Sequence, residues 1–227
     1  MKMENVIKYT GKETPFGSLT GYVTLPSDYR EGEKLPMIVF LHGIGERGAS
    51  TPETVDKVLC HGIPKYFVKN PDYKGLRVIT ASPQCLDGYV WNHLLIMLMD
   101  WIKEVASKYG ADEKKISITG LSMGGFGTWD MIGTYPDYFC CAAPICGGGG
   151  VWLAGDKFNG KTIRVYHSID DNAVPYEYSV IMTQKARKSG VNVEFTTYTD
   201  KGHGCWDTAY GETDLIEWLA GGGVDKN

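Results

Sequence analysis

The first feature of this sequence that suggests chemistry is a serine flanked by glycines. Residues 120–124 have the sequence Gly-Leu-Ser-Met-Gly, and Ser122 is the central residue. A β-rich run at 116–119 precedes them and a helical pattern at 124–135 follows. In a sharp strand-to-helix turn, such glycines let strand and helix pass closely and leave the serine hydroxyl exposed. The positive end of the helix dipole then favours negative charge near the serine. The pattern predicts that Ser122 is a nucleophile.

A histidine later in the chain is the predicted partner of this serine. A serine hydroxyl is a poor nucleophile until a base takes its proton. After a strand-to-helix serine of this kind, the acid and then the base follow along the chain. Two histidines follow Ser122, and His167 ends a predicted strand, where a structural role is expected. His203, in a glycine-flanked loop, is therefore predicted to be the base.

Two adjacent carboxylates are candidates for the acid that orients His203. Asp170 and Asp171 both lie in the loop at 167–175, between a predicted strand and a predicted helix. Asp171 is favoured because Val174 and Pro175 open the helix, which places an aspartate just ahead of them at the tip of the loop. Asp170 remains the alternative, since the loop conformation decides which carboxylate faces the imidazole.

Two backbone N–H groups are expected to stabilise the oxyanion that forms when a serine attacks an acyl group. One should come from the residue after the nucleophile, which is Met123. The other should come from the loop after the third predicted strand, where Gly43 permits a tight turn. The Ile44 N–H is the predicted donor, with Gly45 as the near alternative. His42, at the end of that strand, is expected to hydrogen-bond the loop.

The elements that must position these groups alternate between strand and helix patterns, which predicts a mostly parallel sheet with helices on both faces. The predicted strands are 6–10, 19–25, 37–41, 77–81, 116–119, 140–145, 162–167 and 193–198. The predicted helices are 91–109, 124–135, 175–189 and 213–219. The first two strands lie close in sequence and are expected to form an antiparallel edge hairpin. Residues 146–161 are too few for a separate lid domain.

Length and composition indicate a single domain over 1–227, since one core remains efficient at this size. The net charge of -4 has no basic stripe, which argues against nucleic-acid binding. No apolar run resembles a secretory signal or a membrane span, so a cytoplasmic location without membrane association is expected. The six cysteines and five histidines show no zinc pattern, and no metal or cofactor is expected.

Several longer segments carry a resemblance to a known family. They are LHGIGERG at 41–48, SPQC at 82–85 with Trp91, TGLSMGGFGTWD at 119–130, and APICGG at 143–148. With these segments the chain resembles bacterial α/β-hydrolase esterases of the phospholipase/carboxylesterase or "predicted peptidase" group. It is also similar to feruloyl and acetylxylan esterases. The resemblance implies an α/β-hydrolase fold with an eight-stranded sheet, and a serine esterase that works through an acyl-enzyme.

The resemblance also bears on the acid and on the surroundings of the base. In that family the acid lies in H-G-x-x-D-x-x-V-P, which aligns on 167–175 and selects Asp171. The glycine of this motif is Ser168 here. The family's base usually precedes an aspartate or serine and then a tryptophan, whereas Gly204 and Cys205 separate His203 from Trp206 in this chain. The departure is expected to alter the wall of the pocket.

The substrate is expected to be a short-chain or aromatic ester, including a feruloyl ester or an acetylated sugar. Five residues near predicted strand ends are candidates for lining an acyl or aromatic pocket: Gln84, Trp91, Cys146, Trp152 and Trp206. A peptidase, an acyltransferase or a thioesterase would use the same triad, because fold and triad fix acyl chemistry rather than the leaving group. A non-catalytic binding module on the same fold is the alternative of a different class.

Overall fold

Eight strands organise the molecule, and the computed structural model describes residues 5–150 and 161–224. The strands are β1 (Val6–Thr10), β2 (Thr20–Thr24), β3 (Leu35–Leu41), β4 (Ile79–Pro83), β5 (Ala111–Leu121), β6 (Cys141–Ile145), β7 (Thr162–Ser168) and β8 (Asn192–Tyr198). They form one sheet in the order β1-β2-β4-β3-β5-β6-β7-β8. β2 pairs antiparallel with β1 and with β4. All other pairs are parallel, which confirms the predicted sheet and its edge hairpin.

In the described ranges, six α-helices connect or flank these strands. They are α1 (Gly62–Phe67), α2 (Leu95–Lys108), α3 (Met123–Thr134), α4 (Glu177–Lys188), α5 (Trp206–Glu212) and α6 (Leu215–Ala220). The predicted helix at 91–109 begins instead with a short 3-10 turn, Trp91–His93. The sequence pattern predicted α6 as 213–219 but did not predict α1 and α5. Gly62 and Pro64 in α1 and Gly211 in α5 are poor helix formers, so neither segment shows a clear helical pattern. Within the described ranges, no helix has the length and apolar character needed to cross a membrane.

The helices cover both faces of the sheet. On one face, α2, α3 and α4 bury residues such as Trp101, Trp129 and Met182 in one hydrophobic cluster. On the opposite face, α1, α5 and α6 bury Phe67, Tyr210 and other apolar residues in a second cluster. The predicted two-sided packing is therefore confirmed. Burial on both faces also explains why β3 is hydrophobic along its whole length instead of alternating with polar residues.

The carboxyl ends of the parallel strands meet at one edge of the sheet. Open α/β sheets bind their ligands at this edge, because the loops that follow the strands converge there. The residues predicted for chemistry lie after the strand ends: Ile44 after β3, Ser122 after β5, Asp171 after β7 and His203 after β8.

Candidate active site

Ser122 occupies a strained turn between β5 and α3. Its backbone dihedrals are φ 52° and ψ -120°, a conformation that costs a residue other than glycine about 1–3 kcal/mol. Two hydrogen bonds hold the turn: the Ser122 N–H donates to the Ile145 carbonyl at 3.0 Å, and the Phe126 N–H donates to the Ser122 carbonyl at 3.1 Å. The turn raises the hydroxyl above the edge of the sheet.

Glycine is required on both sides of this serine. A Cβ on Gly124 would lie 1.9 Å from the carbonyl oxygen of Leu41, and one on Gly120 would lie 2.4 Å from the carbonyl oxygen of Gly124. Both are backbone contacts that no rotamer change relieves. The glycines therefore let α3 start directly against β3 and β5, as the sequence pattern predicted.

A chain of hydrogen bonds joins Ser122 to His203 and Asp171. The Ser122 hydroxyl lies 2.9 Å from Nε2 of His203. On the other side of the ring, Nδ1 lies 2.7 Å from Oδ2 of Asp171. Because a carboxylate only accepts, Nδ1 carries the hydrogen, and Nε2 is left to accept the serine proton. The three predicted side chains thus lie together, in an order that suits proton removal from Ser122.

Asp171, rather than Asp170, faces the imidazole. The Asp171 side chain is fully buried, and its Oδ1 accepts the N–H groups of Ala173 and Val174, each at 2.9 Å. Burial raises the pKa of Asp171, but the hydrogen bonds from His203 and from the two backbone groups outweigh it and hold the pKa below its usual value. Asp171 is therefore an anion at neutral pH.

Asp170 points to the neighbouring loop. Its carboxylate accepts the Ser168 hydroxyl and, at 2.9 Å, the N–H of Gly202, the residue before His203. These hydrogen bonds lower the pKa of Asp170. Asp170 therefore fastens the loop that carries the histidine and does not contact its ring.

Two residues at helix starts line the same pocket as Ser122. Met123 is the first residue of α3, and Ile44 is the first residue of the 3-10 helix Ile44–Glu46. N–H groups in the first turn of a helix have no acceptor within that helix, so both are available to an external oxyanion. The side chain of Arg47 holds the second loop, because its Nε donates to the Ile44 carbonyl at 3.1 Å.

His42 supports this loop from beneath. It is fully buried; its Nδ1 donates to the Gly43 carbonyl at 2.6 Å, and its Nε2 accepts the Cys85 N–H at 2.9 Å. The indole N–H of Trp91 donates to the His42 carbonyl at 3.0 Å. Burial lowers the pKa of His42 to about 4. His42 is thus a neutral structural residue, in line with the sequence expectation.

A pocket of about 520 Å³ opens beside the serine. Its lining is mainly apolar and comprises Ile44, Val90, Trp91, Asn92, Ser122, Met123, Phe126, Gly127, Asp130, Ala173, Val174 and His203. Asp130 contributes a carboxyl group to this lining, and burial raises its pKa. The Gly150 N–H donates to its Oδ1 at 3.2 Å. The pocket therefore suits an acyl group that is apolar over most of its surface.

Phe126 and Asp130 were not predicted as pocket residues. Both lie on α3, and together with Met123 and Gly127 they follow the three- and four-residue spacing of one helix face. Extending that spacing from Ser122 would have identified them. Val90 and Asn92 flank Trp91 at the start of the short 3-10 turn, where no periodicity indicates which side chains face the pocket.

The prediction that Gln84 lines the pocket is wrong. Its side chain is fully buried and has four hydrogen bonds to the loop at 46–54. The amide nitrogen donates to the carbonyls of Glu46 and Thr54, and the amide oxygen accepts from Ser50 and Thr54. A planar group with two donors and two acceptor sites suits such a loop anchor, so Gln84 fixes the loop after β3 from behind.

Cys146 and Trp206 also lie outside this lining, whereas Trp91 forms part of it as predicted. Cys146 is fully buried, and burial raises the pKa of its thiol. The Trp206 ring packs edge-on against His203, with 5.1 Å between centroids, and so contacts the base instead of the pocket. Trp152 lies outside the described residues.

One cluster in the described part of the chain has the ligand types of a metal site. Cys146, Asp171 and His203 each place a ligand atom within 4.8 Å of the others. Asp171 and His203 already form a hydrogen bond with each other. Burial raises the pKa of the Cys146 thiol, so the thiol stays protonated and is a poor metal ligand. Acyl transfer by a serine, a histidine and N–H donors requires no metal ion.

Comparison with known proteins identifies the family. The sequence matches the family described as "Putative esterase" over residues 13–161, more than half of the 227-residue chain. The chain therefore belongs to this esterase family.

Two curated relatives share part of their length with this chain. Feruloyl esterase B of Talaromyces stipitatus is 28% identical over 141 residues, which cover 58% of this chain and 36% of the relative. Poly(3-hydroxyalkanoate) depolymerase C of Paucimonas lemoignei is 27% identical over 119 residues, which cover 50% of this chain and 28% of the relative. The chain thus spans about a third of the length of these relatives.

Solved structures agree on the architecture. A thermostable esterase superposes with a TM-score of 0.78 at 31% identity, over 96% of this chain and 63% of that one. The feruloyl esterase module from Clostridium thermocellum, solved with sinapinate, gives a TM-score of 0.72 at 17% identity, over 95% of this chain and 86% of the module. At that identity the second likeness concerns the fold alone. The predicted α/β-hydrolase fold is confirmed.

Proposed function

We propose that this protein hydrolyses carboxylic esters through an acyl-enzyme on Ser122. The observation that carries the proposal is the hydrogen-bond chain from Ser122 to His203 at 2.9 Å and from His203 to Asp171 at 2.7 Å, beside an apolar pocket. Membership of the esterase family supports the same chemistry.

The reaction has two steps. In the first, Nε2 of His203 takes the proton of Ser122 as the serine oxygen bonds to the ester carbonyl carbon. The N–H groups of Ile44 and Met123 hold the oxyanion, and the imidazolium returns the proton to the departing alcohol. In the second, His203 takes a proton from water, the hydroxide attacks the acyl-serine, and the acid leaves as Ser122 regains its proton. Asp171 keeps the imidazole in the productive tautomer throughout.

The pocket favours short-chain and aromatic acyl groups. Phe126 and Trp91 offer ring surface, and a volume of about 520 Å³ is of the size that encloses a small ligand. The buried carboxyl of Asp130 offers an acceptor for a hydroxyl on the acyl group. The names of the feruloyl esterase relatives support an aromatic acid, and a carbohydrate-linked alcohol fits the same proposal.

The decisive experiment measures turnover of p-nitrophenyl acetate and butyrate by the wild type and by Ser122→Ala. We expect the variant to lose at least about 10⁴-fold in kcat, because removal of the nucleophile leaves only binding and the oxyanion donors. The wild type should also react with a fluorophosphonate probe, and the variant should not. Equal turnover by both proteins would refute the proposal, and an unreactive wild type would indicate a binding module.

A panel of acyl groups then tests the substrate class. Acetyl, butyryl, octanoyl and feruloyl esters map the pocket, and matched amides and thioesters separate an esterase from a peptidase or a thioesterase. We expect higher kcat/KM for butyryl and feruloyl esters than for octanoyl esters. A preference for the amides would reject the ester assignment while leaving Ser122 as the nucleophile.

A further inference from the structure

A second histidine contacts the carboxylate of Asp171. His167 lies near the end of β7, is fully buried, and has no part in the proton transfers described above. Its Nε2 lies 3.1 Å from Oδ2 of Asp171, the same oxygen that accepts the hydrogen bond from His203. One carboxylate oxygen therefore contacts two imidazole rings.

The neighbours of His167 determine where its hydrogen lies. Besides Asp171, its Nε2 faces the carbonyl oxygen of Val174, also at 3.1 Å. A carboxylate and a carbonyl only accept hydrogen bonds, so Nε2 must carry a hydrogen and donate. On the other side, Nδ1 lies 2.8 Å from the hydroxyl of Ser179, which can act as donor or acceptor. Whichever way that hydroxyl points, the Nε2–H is shared between Oδ2 of Asp171 and the Val174 carbonyl.

This donor completes the hydrogen bonding of a fully buried anion. Two backbone N–H groups bind Oδ1 of Asp171, and the two histidines bind Oδ2. Since no water reaches this side chain, each lost donor would leave part of the negative charge unsatisfied or let the carboxylate rotate away from His203. The ring of His167 is itself fixed by Ser179 and by the ring of Tyr176 at 5.6 Å.

We propose that His167 is a positioning residue that holds Asp171 in the orientation required by His203. The inference rests on the proposed function, because it assigns a role within the same triad. His167 does not touch the substrate or exchange a proton with Ser122. Its contribution is a hydrogen bond that keeps Oδ2 of Asp171 directed at Nδ1 of His203 and disperses the charge of the carboxylate.

Three variants test this role. His167→Leu removes the donor while filling much of the space, His167→Gln places an amide N–H near the position of Nε2, and His93→Leu alters an exposed histidine as a matched control. With p-nitrophenyl butyrate, we expect kcat to fall about tenfold or more in His167→Leu with KM within about twofold, the equivalent of one lost hydrogen bond to a charged group. His167→Gln should recover most of kcat, and His93→Leu should match the wild type.

The pH profile separates positioning from a purely structural effect. Without the donor from His167, the carboxylate of Asp171 can turn away from Nδ1 of His203, and the imidazolium that forms during the reaction loses part of its stabilisation. The acid limb of kcat/KM should therefore move to lower pH by about half a unit in His167→Leu and return in His167→Gln. Unchanged kcat and an unchanged acid limb in a folded His167→Leu would overturn the proposal.

Nitrogen-15 NMR of the wild type tests the same point if the leucine variant does not fold. Nε2 of His167 should be protonated at pH 7 and show a downfield N–H resonance. An unprotonated Nε2 would overturn the positioning role. Failure of the proposed function has a different signature, a wild type inert toward esters and fluorophosphonate, whatever the state of His167.

Discussion

His42 and His203 both follow a strand at the same edge of the sheet, but their surroundings differ. His42, after β3, is fully buried, and its two ring nitrogens bond backbone groups. His203, after β8, has a side chain that is 24% exposed, and its nitrogens face two side chains, Ser122 and Asp171. One region fixes the loop that carries Ile44, the proposed oxyanion donor, and the other has the partners that the proposed proton transfer requires.

The comparison shows that partners and solvent, rather than residue type, set the role of a histidine. Burial lowers the pKa of His42 to about 4, so this ring stays neutral and its hydrogen bonds persist through the neutral range. His203 pairs with a buried anion and faces a hydroxyl, which allows it to accept a proton. Variants of the partners of each histidine, and of His42 itself, test this difference.

The largest effect is expected from the acid that faces His203. Asp171→Asn replaces an anion by an amide and should lower kcat about 10³- to 10⁴-fold, because the imidazole can then take the wrong tautomer. Asp170→Asn is the matched control: it keeps an acceptor for Gly202 and should stay within about threefold of the wild type. Steady-state turnover of p-nitrophenyl butyrate measures both. The reverse ranking would show that Asp170 orients the base.

A smaller effect is expected on stability in mild acid, through His42. Its pKa in the folded protein is about 4, below the unfolded value of about 6.5, so the unfolded chain binds more protons between these pH values. The stability is complete above about pH 6.5 and should fall by about 3 kcal/mol as the pH is lowered to about 4. His167, whose pKa is also lowered by burial, adds to the same trend.

Denaturant unfolding at a series of pH values measures this dependence. His42→Gln should show a flatter loss of free energy of unfolding between pH 6.5 and 4, whereas His93→Gln, at an exposed position, should follow the wild type. Identical slopes in the wild type and in His42→Gln would show that His42 is not the buried neutral group described here.

The smallest effect is expected from Trp91, which donates to the His42 carbonyl. Trp91→Phe keeps an aromatic ring but removes that donor, whereas Trp101→Phe removes a buried indole N–H with no hydrogen-bond partner among the described residues. The free energy of unfolding should fall by about 1 kcal/mol more in Trp91→Phe than in Trp101→Phe. Equal losses in thermal or denaturant unfolding would mean that the hydrogen bond to His42 contributes nothing measurable.

Much of the fold and the strand-to-helix turn that carries Ser122 could be predicted from sequence, because their signals are local. The glycines around Ser122 lie within one turn and are visible as a short motif, although the Leu41 carbonyl oxygen that comes closest to Gly124 belongs to β3. Seven of the eight strands were predicted within about two residues, because apolar β-rich runs are sufficient to identify a buried parallel sheet. The strand β5 begins five residues before its predicted start, because residues 112–115 are polar. The short helices α1 and α5 lacked such a signal and were missed.

Tertiary structure decided which side chains face one another across separate loops. The parallel pairing of β7 and β8 places the loop of Asp170 and Asp171 beside the loop of His203. Only the conformation of that loop turns Asp171, rather than Asp170, toward the ring. Gln84 and Cys146 follow or end strands at the predicted edge, but both point inward, so neither lines the pocket.

The contact between His167 and Asp171 was likewise decided by tertiary structure. Sequence indicated only that His167 ends a strand, because a side chain's hydrogen-bond partners depend on directions set by packing and not by spacing along the chain. The residue types thus predict acyl chemistry at Ser122. The buried hydrogen-bond geometry, which forms only when the strand ends converge and exclude water, determined which groups support it.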